Sequence, residues 1–169
     1  MEGDPVEQFA TAAAAFDVWA REGTAEGASA VREALVHVVR LYSCALHLPE
    51  PWSDSLSEDP EPDRLTDDEF RAVTQHCSRL PLNCYSEIFD SMVVPPERPV
   101  VGSIGDDIGD IYREVVGGLR SYQLGLRPQA IWIWSFGFRN HWGEHATGSM
   151  RALHTWLTQN APDRLSPTI

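Results

Sequence analysis

The chain has 169 residues, a length that suits a single domain, and its formal net charge is −12. All 13 basic residues are arginine, and 25 residues are acidic, so the protein's field repels phosphate backbones and anionic lipid surfaces. We therefore expect neither nucleic acid nor a membrane as a partner, which leaves a small molecule or a basic protein as possible partners. The three cysteines form no disulfide framework, and the acidic start, Met1-Glu2-Gly3-Asp4, does not resemble a secretion signal. These features predict a cytoplasmic protein, and the sequence indicates no oligomeric state.

Helix signals dominate the first third of the chain. Asp4-Pro5-Val6-Glu7 combines a capping residue with proline at the first helical position, and the helix that it begins is expected to reach about Arg21. A second helix is predicted from Glu26 to His47. Residues 48–65 contain four prolines and many carboxylates, a composition that predicts a flexible acidic loop inside a single domain spanning residues 1–169.

The rest of the chain also has mainly helical patterns. A capping box at Thr66-Asp67-Asp68-Glu69 begins a third helix, and a short fourth helix is predicted near residues 83–92. The fifth helix follows Ser103 and has apolar residues at helical spacing. The last helix, residues 128–160, is the longest. Because no strand pattern is convincing, we predict an all-α fold: a compact bundle of five or six helices with a long central C-terminal helix.

The last helix carries the pattern that best indicates a site. On a helical wheel, His145 falls within an apolar, aromatic face, and His141 lies at its edge. The connection to the fifth helix is short, so the two helices should be antiparallel neighbours. We expect both histidines to be largely buried and to face the start of the fifth helix, with Asp107 ranked first as their acidic partner, then Asp110, then Glu114.

These residues predict a polar pocket between the last two long helices. The candidate ligand-binding residues are Asp107, Tyr112, Trp134, Phe138, His141, Trp142 and His145. The aromatic members have an alternative interpretation, since tryptophan and phenylalanine at helical spacing are typical of a hydrophobic core.

Histidines four residues apart on one helix face can bind the same metal ion. His141 and His145 have this spacing, which suits zinc or iron, and Asp107 and Asp110 are candidates for completing the site. In the alternative interpretation, both histidines are core residues that form hydrogen bonds with Asp107, with Tyr112 or with a carbonyl group. The pattern His-x-x-Glu-His at residues 141–145 also occurs in inverted zinc proteases, but the 24 residues that follow His145 leave too little chain for such an enzyme.

Two segments resemble a known bacterial family. Residues 104–113, Ile-Gly-Asp-Asp-Ile-Gly-Asp-Ile-Tyr-Arg, and residues 136–145, Phe-Gly-Phe-Arg-Asn-His-Trp-Gly-Glu-His, are similar to DUF5063, a family of domains of unknown function. The resemblance implies an all-α fold and no named activity. Members tend to have Trp-Glu-Trp-Arg-Phe where this chain has Trp-Ile-Trp-Ser-Phe at residues 132–136, so an activity that needs that Glu and Arg would be lost or altered here.

Two functional hypotheses follow from the predicted pocket. The first is a non-catalytic binding or interaction domain that takes a ligand between the last two long helices. The second is a metal-dependent enzyme that uses Asp107, His141 and His145. The sequence does not determine whether these three side chains converge on an open cleft, which is the feature that separates the two hypotheses.

Overall fold

The computed structural model describes residues 3–50, 65–88 and 90–165. The described part of the chain is mainly helical, which confirms the predicted fold class. Its elements, in chain order, are α1 (Pro5–Glu22), α2 (Gly27–Ala45), α3 (Asp67–Cys77), β1 (Cys84–Glu87), β2 (Val100–Ser103), α4 (Ile104–Gln123), α5 (Arg127–Gly137), a π-helical turn (Phe138–Trp142), α6 (Gly143–Asn160) and a final 3₁₀ turn (Pro162–Leu165).

The predicted helix starts are confirmed by their capping bonds. Asp4 accepts a hydrogen bond from the Val6 amide at 3.0 Å, and Ser103 accepts one from the Asp106 amide at 3.3 Å. Thr66 and Glu69 form both bonds of the capping box. These bonds satisfy amide groups that have no partner inside the helix, and they fix where α1, α3 and α4 begin.

Helix α4 lies at the centre of the bundle. It packs against α1, α3, α5 and α6, and its apolar stripe of Ile104, Ile108, Ile111 and Val115 is fully buried. The hydrogen bonds between α4 and the C-terminal helices join residues whose numbers rise on α4 as they fall on the partner, from Asp107–His145 to Val115–Trp134. The predicted antiparallel arrangement of these helices is therefore confirmed.

The structure contradicts the predicted short helix at residues 83–92. In its place, β1 pairs antiparallel with β2, with Tyr85 opposite Gly102 and Glu87 opposite Val100. The segments that pair are separated by twelve residues, so their pairing leaves no local signal in a sequence of mixed polarity. The hairpin leads directly into α4, since β2 ends at Ser103 and α4 begins at Ile104. The Ile104 amide donates a hydrogen bond to the Asn83 carbonyl oxygen at 2.8 Å, which ties the start of α4 to the residue before β1.

The C-terminal helical run is continuous but not uniform. The backbone stays helical from α5 to α6, yet residues 138–142 form a wider π turn, which changes the register of the side chains that follow. No helix in the described ranges is both long enough and apolar enough to cross a membrane.

The predicted flexible acidic loop falls mostly on residues 51–64, which lie outside the described residues. The last described residues before that gap are held in place. Glu50 forms a bidentate ion pair with Arg139, with oxygen–nitrogen distances of 2.5 and 2.7 Å. The Pro49 carbonyl oxygen accepts a hydrogen bond from Ser135 at 2.9 Å, so this end of the segment is attached beside the π turn.

Candidate functional site

Helix α4 presents three carboxylates along one side. Asp107, Asp110 and Glu114 are separated by three and four residues, the spacing that places side chains on one helix face. Asp107 is only 4% exposed, whereas Asp110 and Glu114 are partly exposed. A buried carboxylate needs strong partners because desolvation disfavours its charge, so the side chains around Asp107 decide what this face can do.

His145 on α6 is the main partner of Asp107. Its Nδ1 lies 2.9 Å from Asp107 Oδ1, as the sequence predicted, and its Nε2 lies 3.7 Å from Asp110 Oδ2. The hydrogen bond with Asp107 raises the pKa of His145, against the opposite effect of burial. Because Nδ1 is held by one carboxylate, Nε2 is the nitrogen that remains for a ligand.

His141 lies in the π turn and differs from its prediction. Its side chain is 47% exposed, not largely buried, and its Nδ1 lies 2.7 Å from Glu114 Oε1. The sequence ranking placed Glu114 last, and for His141 that ranking is wrong. Since the helices are antiparallel, a histidine earlier on the C-terminal run meets a residue later on α4, and Glu114 lies seven residues, about two turns, after Asp107.

Glu114 is held in a tight space. In the described part of the chain its Oε2 is buried and has no hydrogen-bond partner. Burial raises the pKa of Glu114, while the hydrogen bond with His141 lowers it. A Cβ at Gly137 would overlap Glu114 Oε2, so the glycine provides the room in which this carboxylate reaches His141.

Tyr85 on β1 completes the cluster and was missed by the sequence reasoning. Its hydroxyl donates to Asp107 Oδ2 at 2.8 Å and lies 3.2 Å from Glu87 Oε2. Burial and the neighbouring Asp107 raise the pKa of Tyr85, so the hydroxyl stays protonated. The sequence signal for this contact was weak, because it depends on a hairpin that local patterns did not reveal.

Three of these side chains can bind one metal ion. Asp110, His141 and His145 each offer a ligand atom, and the three atoms lie within 4.8 Å of one another. Ligand atoms of a tetrahedral zinc lie about 3.4 Å apart, so the Asp110–His145 pair is already close and the set as a whole needs a small contraction. Asp107 is not in this group, because its two oxygens are used by His145 and Tyr85. Two imidazoles and one carboxylate suit zinc or iron.

A cleft of about 340 Å³ lies beside His145. The hairpin contributes Tyr85 and Glu87 to its wall, and α6 contributes His145, Gly148 and Arg151. Arg151 also donates to the Ser86 carbonyl oxygen at 3.2 Å, which joins the two walls. This cleft therefore lies between the hairpin and α6, and none of its described lining residues comes from α4, so it differs from the pocket predicted between the last two long helices.

Comparison with known proteins assigns the family. The sequence model of DUF5063, described as a domain of unknown function, matches residues 2–159. The chain belongs to the DUF5063 family. Among solved structures, protein BF1032 from Bacteroides fragilis is similar in fold, with a TM-score of 0.75 and 22% sequence identity over 94% of each chain. A search of the curated proteins returned no match.

The remaining predicted site residues of this DUF5063 domain lie in its core or on another side of α4. Trp134 and Trp142 are fully buried, and their indole nitrogens donate to backbone carbonyl groups at 2.8 and 3.2 Å. Phe138 packs between Tyr42 and Trp142. Tyr112 donates to Asp17 on α1 at 2.6 Å and is not part of the cluster.

A larger cavity of about 570 Å³ lies between α1, α2 and α3 of the DUF5063 fold. Cys77 lies in its wall, and burial raises the pKa of the Cys77 thiol to about 12. A thiol with that pKa is a poor nucleophile near neutral pH. Cys77 therefore does not supply this cavity with an activated nucleophile.

Proposed function

We propose that this DUF5063 domain binds a divalent transition metal, zinc or iron, through Asp110, His141 and His145. The metal and the adjacent cleft together form a ligand-binding site. The observation that carries the proposal is the convergence of the three ligand atoms within 4.8 Å. Of the two aspartates expected from the sequence as metal ligands, this assignment keeps Asp110 and leaves out Asp107.

The carboxylates behind the histidines support this proposal. Each imidazole has its Nδ1 next to a carboxylate oxygen, Asp107 for His145 and Glu114 for His141. Such a partner fixes the ring orientation and leaves Nε2 free for the metal, and it is the usual outer contact of metal-binding histidines. Three protein ligands leave further coordination positions for water or a ligand, and the exposure of His141 keeps the site accessible.

The chemistry available at such a site is that of a Lewis acid. A bound zinc lowers the pKa of a coordinated water and polarises a carbonyl or phosphoryl oxygen. The residues of this chain would hold the metal and orient its histidines, and the cleft would bind the ligand beside it.

The free cysteines, Cys44, Cys77 and Cys84, accord with a reducing compartment, and we propose that the protein functions in the cytoplasm.

Metal analysis of protein purified without an affinity tag tests the proposal. One equivalent of zinc or iron per chain is expected, and isothermal titration calorimetry of the metal-free protein with that metal should show one binding site. The variants His141→Asn, His145→Gln and Asp110→Asn should weaken binding by more than about a hundredfold, beyond the effect of losing an outer contact. His154→Asn is the matched control, because His154 is an exposed histidine on α6 outside the cluster. Parent-like affinity in all three site variants, or no binding by the parent, would overturn the proposal.

A second candidate function is the binding of a small organic cation in the same cleft without a metal. The acidity of the cleft favours it, since Glu87 and Glu144 line it and Asp107 and Asp110 lie next to His145 in its wall. A thermal-shift titration with spermidine separates the two candidates. Cation binding would depend on Glu87 but persist in Asp110→Asn and His145→Gln, whereas metal binding would be lost in these last two variants.

A further inference from the structure

The hairpin places Tyr85 in a slot between two glycines. A Cβ at Gly102 on β2 would lie 2.6 Å from Tyr85 Cζ, and a Cβ at Gly148 on α6 would lie 2.6 Å from the Tyr85 hydroxyl oxygen. Side-chain carbons do not tolerate such distances, so the ring fits only because both positions are glycine. The slot, defined by Gly102 and Gly148, fixes the position of the hydroxyl relative to α4 and α6.

Within this slot the hydroxyl completes the contacts of a buried carboxylate. A phenol has one hydrogen to donate, and the shorter distance, 2.8 Å, is to Asp107 Oδ2, against 3.2 Å to Glu87 Oε2. Asp107 Oδ1 lies 2.9 Å from His145 Nδ1. Each oxygen of Asp107 thus has one hydrogen-bond partner, Tyr85 for Oδ2 and His145 for Oδ1, and the two bonds together fix the orientation of the carboxylate.

We propose that Tyr85 is a positioning residue for the metal site, acting through Asp107 to hold the ring of His145. This inference rests on the proposed metal site. Tyr85 acts indirectly: its hydroxyl holds Asp107, and Asp107 holds the ring of His145. In that orientation His145 Nε2 lies 3.7 Å from Asp110 Oδ2. The hairpin, which the sequence did not reveal, is in this way a structural part of the site.

Removing only the hydroxyl tests the inference. Tyr85→Phe keeps the ring in its slot and leaves Asp107 Oδ2 without its donor, so the carboxylate can rotate and His145 loses its fixed orientation. Loss of an outer contact of this kind typically weakens metal affinity about 10- to 100-fold. We expect a decrease in that range for zinc, measured by competition with a chromophoric chelator. The visible absorption spectrum of the cobalt(II)-loaded protein should also shift, because the ligand geometry changes.

Tyr112→Phe is the matched control. It removes a phenol hydroxyl that donates to a carboxylate, Asp17, at 2.6 Å, but on the side of α4 that faces α1. It should lower stability by an amount similar to Tyr85→Phe and leave the zinc affinity and the cobalt spectrum unchanged. Equal loss of metal affinity in both tyrosine variants would indicate a general structural effect and overturn the inference.

Gly148→Ala is a second, independent test, used also if Tyr85→Phe does not fold. Its added Cβ would overlap Glu87 Oε1 and lie 2.6 Å from the Tyr85 hydroxyl oxygen, so it displaces that hydroxyl without removing it, and zinc affinity should fall in the same direction. If the parent binds zinc through Asp110, His141 and His145 while Tyr85→Phe and Gly148→Ala bind equally well, only the role of Tyr85 is refuted. If the parent binds no metal, both this inference and the proposed function are refuted.

Discussion

Two adjacent glycines of α4 should respond oppositely to the same substitution. A Cβ at Gly118 would overlap Trp134 Nε1 and lie 2.8 Å from Trp134 Cε2, whereas a Cβ at Gly117 would meet no atom of the described residues within 4 Å. Trp134 is fully buried, and its Nε1 donates to the Val115 carbonyl oxygen at 2.8 Å. The indole therefore has little freedom to move away from an added methyl group.

The expected free energies follow from these contacts. Alanine in place of a helical glycine gains about 1 kcal/mol of helix propensity, so Gly117→Ala should stabilise the fold by about that amount. Gly118→Ala has the same gain, but overpacking costs about 1–3 kcal/mol and an unpaired indole N–H about 1–3 kcal/mol. The net result for Gly118→Ala is a destabilisation of about 1–5 kcal/mol.

Denaturant unfolding and thermal melts of the two variants measure the difference. For a domain of this size, each kcal/mol shifts Tm by about 2–4 °C, so Gly117→Ala should melt slightly higher than the parent and Gly118→Ala clearly lower. Near-ultraviolet circular dichroism should change only in Gly118→Ala, because the environment of Trp134 changes. Equal stabilisation by both substitutions would refute the packing of α5 on α4 described above.

Two further predictions concern single side chains. Near pH 8, a thiol reagent should modify the exposed Cys84 fastest and the half-buried Cys44 more slowly. It should reach Cys77 only on unfolding, since burial raises the Cys77 pKa to about 12. Rapid labelling of all three cysteines would contradict this order. Burial lowers the pKa of His37, which stacks on Trp19, below its ordinary value of 6.5; the unfolded state then binds more protons, so stability should fall as pH decreases from about 6.5 through the lowered pKa, and a His37→Phe variant should lack this component in urea titrations at several pH values.

Local signals in the sequence account for most of the helices. The caps at Asp4, Thr66 and Ser103 and the apolar stripe of α4 act within one or two helical turns, so the sequence shows them directly. The short connection between α4 and α5 was enough to predict that the two helices are antiparallel. The hairpin could not be predicted in this way, because β1 and β2 become strands only by pairing with each other.

The candidate site was predicted only in part, because some of its contacts follow from helix periodicity and others do not. His145 and Asp107 were paired correctly, since both lie next to apolar stripes of neighbouring antiparallel helices. His141 was misplaced, because a helical wheel assumes one constant angle per residue and the π turn breaks that assumption. Glu114 depends on space left by Gly137, and Tyr85 depends on space left by Gly102 and Gly148; no sequence pattern indicates such space.

The π turn itself depends on a glycine, which gives a prediction that needs no metal. A Cβ at Gly143 would overlap the Phe138 carbonyl oxygen and lie 3.3 Å from its carbonyl carbon, a clash with backbone that no side-chain movement relieves. Gly143→Ala must therefore change the turn, and overpacking of about 1–3 kcal/mol should exceed the gain of about 1 kcal/mol in helix propensity. Because His141 lies inside the turn, its hydrogen bond with Glu114 should weaken, and the imidazole nitrogen resonances of His141 should shift in NMR spectra of the metal-free protein while those of the exposed His154 stay unchanged. A stabilised variant with parent-like His141 resonances would show that the π turn does not determine where His141 lies.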